Sequence, residues 1–270
     1  MKKPSPNNRF PTRFFLLTFF LSLPFYILNA LAYERVLGRP EIGAIYIALF
    51  TFTPILAASF LTFRTNGYQG LKALLAKTFD WRKIKKSRWY FAIVLLQPLL
   101  FLLSLVSLVL LGFHMPPSLT PLMALPVVIP FIFLLAAGEE VGWMGYAFEP
   151  MEKRFGTLKA VFVLGIIWAF WHLPFFMYIF PDPFVLTSQF LTLIAGRVLL
   201  VWIFCNTGRS VFGSILFHAS GNAAMVAFPE IQALVPWGSI IYFAFILGTA
   251  SIVTLLWRRS GEKQTKLTNQ

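Results

Sequence analysis

The sequence predicts an all-α fold, a polytopic transmembrane helical bundle of about eight spans with both termini in the cytoplasm. Three observations predict it. Hydrophobic residues make up 58% of the 270 residues and charged residues 12%, with a mean hydropathy of +0.73, too apolar for a water-soluble globule of this size. Apolar runs of about 20 residues recur along the chain, the length an α-helix needs to cross the hydrocarbon layer. The basic residues gather in alternate connections between those runs, the pattern that fixes membrane topology.

The runs fall near 14–33, 43–63, 89–112, 122–147, 158–179, 185–205, 210–228 and 236–257. They occupy nearly all of 1–270, so a single multi-pass integral-membrane domain is expected, with the bilayer as its solvent. Met1 to Arg13 followed by the first run has the layout of a signal peptide, but the run is long enough to span and lacks an Ala-x-Ala-type site. It is read as a retained helix. The N-terminal segment, the 64–88 connection, the fourth-to-fifth and sixth-to-seventh connections and the C-terminal tail hold 20 of the 23 basic residues. The opposite side has Arg35 and Arg39 beside Glu34 and Glu41, then Asp182 and Glu230. The positive-inside rule therefore places both termini in the cytoplasm.

The net charge of +13 is thus topogenic, and no base- or phosphate-reading motif accompanies it. Nucleic acid is not an expected partner. The lone Cys205 excludes an internal disulfide or a cysteine metal cage. In 64–88, Leu71, Leu74, Leu75 and Phe79 recur at helical spacing among basic residues. This suits either a short amphipathic helix on anionic lipid headgroups or a solvated topogenic loop. Pro126 and Pro130 predict a kink or a late start for the fourth span. Pro181-Asp182-Pro183 reads as an outer turn, and no internal repeat is evident.

Three spans carry ionisable side chains that are expensive in lipid. Glu139 and Glu140 are adjacent, so on a helix they diverge by about 100° and one can act while the other orients. His172 lies in an aromatic stretch with Trp168, Phe170 and Trp171. His218 and Asn222 are one helical turn apart on a common face, where both could donate to one oxygen. At about 1.5 Å per residue, Glu139 lies about 20 Å from the outer end of its run, while His172 and Asn222 lie about 18 Å from their inner ends. These depths overlap in a core about 30 Å thick, so the residues can meet. His114 falls in an outer turn and is excluded. Arg197 is mid-span and calls for an anionic partner. Glu140 is one option; a lipid phosphate or backbone carbonyls are the other.

Glu, two His and Asn within a membrane suit activation of water with stabilisation of an oxyanion, as in peptide hydrolysis. Glu139, Glu140, His172 and His218 could equally hold a zinc ion. His-Glu-x-x-His is absent, so metal-dependent and metal-free routes both stay open.

The stretches Glu-Glu-x-Gly-Trp-x-Gly-Tyr, Trp-His-Leu-Pro and Phe-His-Ala-Ser-x-Asn, in that order within 136–224, resemble the CPBP family of intramembrane proteases, the CAAX protease and bacteriocin-processing (Abi) group. The resemblance implies that Glu139 and His172 activate water, that His218 and Asn222 form the oxyanion site, and that Glu140 supports the site or binds metal. It further implies a peptide or membrane-protein substrate. One departure stands out. The family's first motif has arginine where this chain has Met144, and Arg197 could supply that charge from another helix. Two readings compete with proteolysis: a catalytically silent binding or immunity protein, which Met144 favours, and a proton-coupled transporter using Glu and His as a relay.

Overall fold

The computed structural model describes residues 10–33, 40–114 and 125–268. All regular structure among them is helical: α1 (Thr12–Tyr33), α2 (Pro40–Phe50), α3 (Thr53–Ala76), α4 (Arg88–Leu110), α5 (Leu125–Gly142), a π-helical turn (Trp143–Ala147), α6 (Phe148–Phe155), α7 (Thr157–Ile179), α8 (Pro183–Asn206), α9 (Val211–Ala227), α10 (Pro229–Ala233) and α11 (Trp237–Thr268). Among the described residues, 7 helical stretches are long and apolar enough to cross a membrane. The chain is an integral, multi-pass membrane protein. The seventh expected span, at 210–228, is present as α9 but counts only as a shorter apolar helix. Its 17 residues rise about 25 Å, and its small residues are packed inside the bundle. The start expected for the fourth span at 122, the Arg35 and Arg39 loop and the cluster at Lys2, Lys3 and Arg9 lie outside the described residues. So do the side chains of the basic C-terminal tail.

The second stretch, Ile42–Phe79, has 38 residues, which as one rod would rise about 57 Å, far more than the hydrocarbon thickness. It is broken at Gly67, whose φ of 62° and ψ of −163° interrupt α3. Positive φ is open to glycine at little steric cost. Residues 68–79 therefore turn away from the span. Pro126 lies in the first turn of α5, where a missing N–H costs least, while Pro130 sits inside the helix, which runs on past it to the carboxylates.

Four segments far apart in the chain meet at one end of the bundle. Lys77 Nζ donates to Gly145 O at 2.6 Å, Ser210 Oγ to Asp80 Oδ1 at 2.7 Å, and Arg209 to Glu152 Oε2 at 2.6 Å. The Phe10 ring sits 5.9 Å from that of Phe155. The same basic connections share a side in the charge pattern of the sequence. α7 then carries the chain across to Asp182, which caps α8 by accepting from Phe184 N at 3.0 Å and Val185 N at 2.9 Å.

Small residues set how closely the inner helices approach. A Cβ on Gly142 would lie 2.6 Å from Pro54 Cβ, and one on Gly138 would lie 2.8 Å from Thr51 O. α5 and the start of α3 can pack this tightly only because those positions are bare, as close helix contacts in lipid require. A polar seam joins α1, α3 and α7. Ser22 and Thr53 hydroxyls share a hydrogen bond of 2.8 Å, Trp171 Nε1 donates to Ser22 Oγ at 2.8 Å, and Tyr26 OH donates to Trp171 O at 2.7 Å. The seam orients the residue next to His172. The side facing lipid is apolar, with Leu110 and Val127 among the exposed residues.

Candidate active site

Among the described residues, the buried charged side chains are Glu139, Glu140 and Arg197. They come from α5 and α8 and meet His218 of α9 and Trp168 and His172 of α7. With Gly138 and Gly142 committed to α3, the two carboxylates of α5 are left to reach the interior in different directions.

Glu140 is held on both oxygens. Arg197 donates to Oε2 at 2.7 Å, with both side chains fully buried, and His218 Nδ1 lies 2.9 Å from Oε1. A carboxylate accepts only, so Nδ1 carries the proton and His218 Nε2 is the ring atom left for the site. The guanidinium also lies over the Trp168 ring, 4.0 Å from its centroid. Its Nε and second terminal nitrogen have no hydrogen-bond partner among the described residues, and the π face of Trp168 is what they meet instead. Gly165 helps place this arginine, since α8 passes close enough that a Cβ there would lie 3.4 Å from Ile194 Cα and 3.5 Å from Arg197 Cβ.

Glu139 is held on one oxygen. Trp168 Nε1 donates to Oε2 at 2.7 Å, and His172 Nε2 stands 4.0 Å from the same atom. His172 Nδ1 is 3.0 Å from Trp168 O. Trp168 thus meets four members of the site: its indole N–H binds Glu139, its carbonyl orients His172, and its ring faces Arg197 and, edge-on at 5.7 Å, His218.

Of the residues singled out by sequence, Glu139, Glu140, His172, Arg197 and His218 converge. Asn222 lies one turn beyond His218 on α9, half-buried, with no side-chain hydrogen bond among the described residues. His114 is exposed in the turn after α4. Glu139, Glu140 and His218 each bring a potential ligand atom to within 4.8 Å of the others; His172 is not part of that group. These two carboxylates and an imidazole suit a divalent ion such as zinc. Arg197 and His218 already occupy Glu140, so such an ion would draw its negative charge chiefly from Glu139.

Sequence reasoning placed Trp168 in the aromatic packing beside His172, where the resembled family has Phe, and gave its side chain no role in the site. Its one visible signal was the four-residue spacing to His172, which puts both on the same face of α7. Asp80 and Lys77 were also missed as positioning groups. Asp80 accepts from Ser210 Oγ, from Phe212 N at 3.0 Å and from Val211 N at 3.3 Å, so it caps the helix that bears His218. Lys77 takes up a carbonyl of the π-helical turn that follows the Glu pair. Such turns recur at functional sites because they re-aim side chains and free backbone groups. Met144 lies buried in this turn.

Residues 120–224 match the family model described as "Type II CAAX prenyl endopeptidase Rce1-like". The site-bearing segment is CAAX protease-like. It contains all six sequence-predicted residues, from Glu139 to Asn222. A relative, CAAX prenyl protease 2 of Methanococcus maripaludis, is 26% identical over 129 residues, covering 43% of this chain and 48% of that protein. The chain thus matches about half the length of this relative. Within the CAAX protease-like segment, Arg197 from α8 provides the cation beside Glu140, whereas the resemblance places an arginine at the position of Met144, in the π-helical turn that follows α5.

Proposed function

We propose that the chain is an intramembrane endopeptidase in which Glu139 and His172 activate a water for attack on a peptide bond of a membrane-associated substrate. One observation carries the reading: two hydrogen-bond acceptors face each other across the site. Trp168 O can only accept, so the His172 proton resides on Nδ1 and Nε2 presents a lone pair. That nitrogen and Glu139 Oε2 are 4.0 Å apart, too far for a direct hydrogen bond and close enough for both to accept from one water.

The water oxygen forms a bond to the peptide carbonyl carbon as its proton passes to the Glu139–His172 pair. The carbonyl oxygen becomes an oxyanion. His218, as an imidazolium with Nδ1–H tied to Glu140 and Nε2–H turned to the site, and the Asn222 amide one turn along α9 are the donors for that oxygen. The C–N bond then breaks as the transferred proton moves to the departing amine. Arg197 keeps Glu140 anionic and in place, so His218 keeps one orientation. A divalent ion held by Glu139, Glu140 and His218 would supply Lewis-acid polarisation at the same position.

The relative's name makes a prenylated CAAX peptide the first probe substrate, with unprenylated membrane-tethered peptides beside it. The purified chain in liposomes is expected to cleave at least one of them, as read by mass spectrometry. Glu139→Gln is expected to slow cleavage by about 10²- to 10⁴-fold without altering helicity or oligomeric state. Binding of a peptide without cleavage, unchanged by Glu139→Gln, would support the silent binding protein. Proton-coupled solute flux in the same liposomes would support the transporter.

A further inference from the structure

The segment between Gly67 and Arg88 turns one face outward, with Trp81 at its border, edge-on to Phe212 at 6.3 Å. Tyr68, Phe79 and Trp81 expose 66%, 62% and 46% of their surface, and Leu75 exposes 40%. Among them stand Lys72, Arg82, Lys85, Lys86 and Arg88, all exposed and without an ion pair among the described residues. Leu74 and Ile84 turn inward and are buried. One face therefore grips the bundle while the other alternates aromatic and cationic side chains, the composition of an element lying in a membrane interface.

The acids at this end do not neutralise those cations. Asp80 is taken by the start of α9 and by Lys83 at 2.8 Å. Glu149 pairs with Lys153 at 2.7 Å, and Glu152 pairs with Arg209 and accepts from Thr157 at 2.9 Å. The surplus left over is positive, beside side chains suited to the boundary between headgroups and acyl chains. We infer that residues 68–88 form a seat for the headgroups of anionic lipids. Charge complementarity points to such a lipid, and the exposed tryptophan, tyrosine, phenylalanine and leucine favour lipid over an acidic soluble protein. The seat is also tied to the site. Lys77 holds the turn after Glu139 and Glu140, and Asp80 holds the start of the helix with His218, so lipid binding would brace two of the site-bearing helices.

The test uses the full chain with Cys205→Ala and one introduced cysteine, labelled with a fluorophore, in nanodiscs. At Ser87→Cys, brominated phosphatidylglycerol is expected to quench more than brominated phosphatidylcholine at equal mole fraction. At Leu110→Cys, on the far end of α4, the two lipids are expected to quench alike. Changing Lys72, Arg82, Lys85 and Lys86 to Gln is expected to bring the two lipids to parity at position 87, each lost cation lowering local enrichment by up to about five-fold. High salt is expected to weaken the preference in the unaltered chain, a readout that needs no variant. Equal quenching at position 87 in the unaltered chain would overturn the inference, as would a preference that survives the four changes or appears equally at position 110. A label that ignores both lipids and responds to an acidic peptide would assign the face to a protein partner.

Discussion

Trp168 donates its indole N–H to Glu139 at 2.7 Å while the face of the same ring lies 4.0 Å under the guanidinium carbon of Arg197. One side chain thereby orients one carboxylate directly and stabilises the cation that holds the other. Trp168→Phe keeps most of the ring and deletes only the N–H. The expected result is a fall of about ten-fold in kcat with little change in KM, equivalent to about 1.4 kcal/mol in the barrier. Steady-state cleavage of the best probe peptide measures it; a kcat equal to that of the unaltered chain would deny the hydrogen bond any part in catalysis.

Arg197 and Glu140 are fully buried and paired, so removing one leaves the other charge uncompensated. Arg197→Leu is expected to destabilise the protein by about 3–5 kcal/mol. The double variant Glu140→Gln with Arg197→Leu is expected to regain much of that stability, because no orphan charge remains. Thermal unfolding in one detergent, compared across the two single variants and the double, gives the coupling. A double variant as unstable as the sum of the singles would mean that the pair does not interact.

Restoring an arginine one turn beyond Glu140 tests whether charge position or charge identity matters. Met144→Arg added to Arg197→Leu is expected to recover part of the lost activity, since residues four apart on a helix are neighbours. Cleavage assays on the two variants decide it, and no recovery in a folded double variant would assign Arg197 a role beyond neutralising Glu140.

Asp80 lies in the connection before α4 yet caps α9 through three hydrogen bonds. Asp80→Ala is expected to cost about 0.5–2 kcal/mol and to loosen the first turns of α9. Hydrogen exchange of Val211 and Phe212, whose amides bond to Asp80, should accelerate before the rest of the helix does. Unchanged exchange there would show that α9 needs no cap from this segment.

Gly142 meets Pro54 with no room for a Cβ. Gly142→Ala is expected to destabilise by about 1–3 kcal/mol and to lower activity, because pushing α5 from α3 shifts the adjacent carboxylates. An unfolding midpoint equal to the parent's would show that the contact is looser than the spacing indicates.

The spans were legible because lipid leaves a chain few alternatives: each crossing segment must be apolar, long enough and helical. The polar convergence was legible for a related reason. Glu139, Glu140, His172, Arg197 and His218 stand at overlapping depths in segments where charge is costly, so they had to face one another. Trp168, Asp80 and Lys77 were not legible in that way. An indole N–H is inexpensive almost anywhere in a bundle, and a lone aspartate in a basic connection reads as surface until a helix end is seen above it.

By itself the sequence determined an α-helical membrane bundle, the depth of its polar residues and the carboxylates, imidazoles and guanidinium that meet, all consequences of the free energy of moving side chains from water into hydrocarbon. Only the tertiary structure decided how each helix is rotated and which partner each group takes. Hydropathy sets how far along the membrane normal a residue lies and says little about the direction it faces. The pairing of Arg197 with Glu140, of Trp168 with Glu139 and of Asp80 with the start of α9 depends on that rotation, which close packing at Gly138, Gly142 and Gly165 settles.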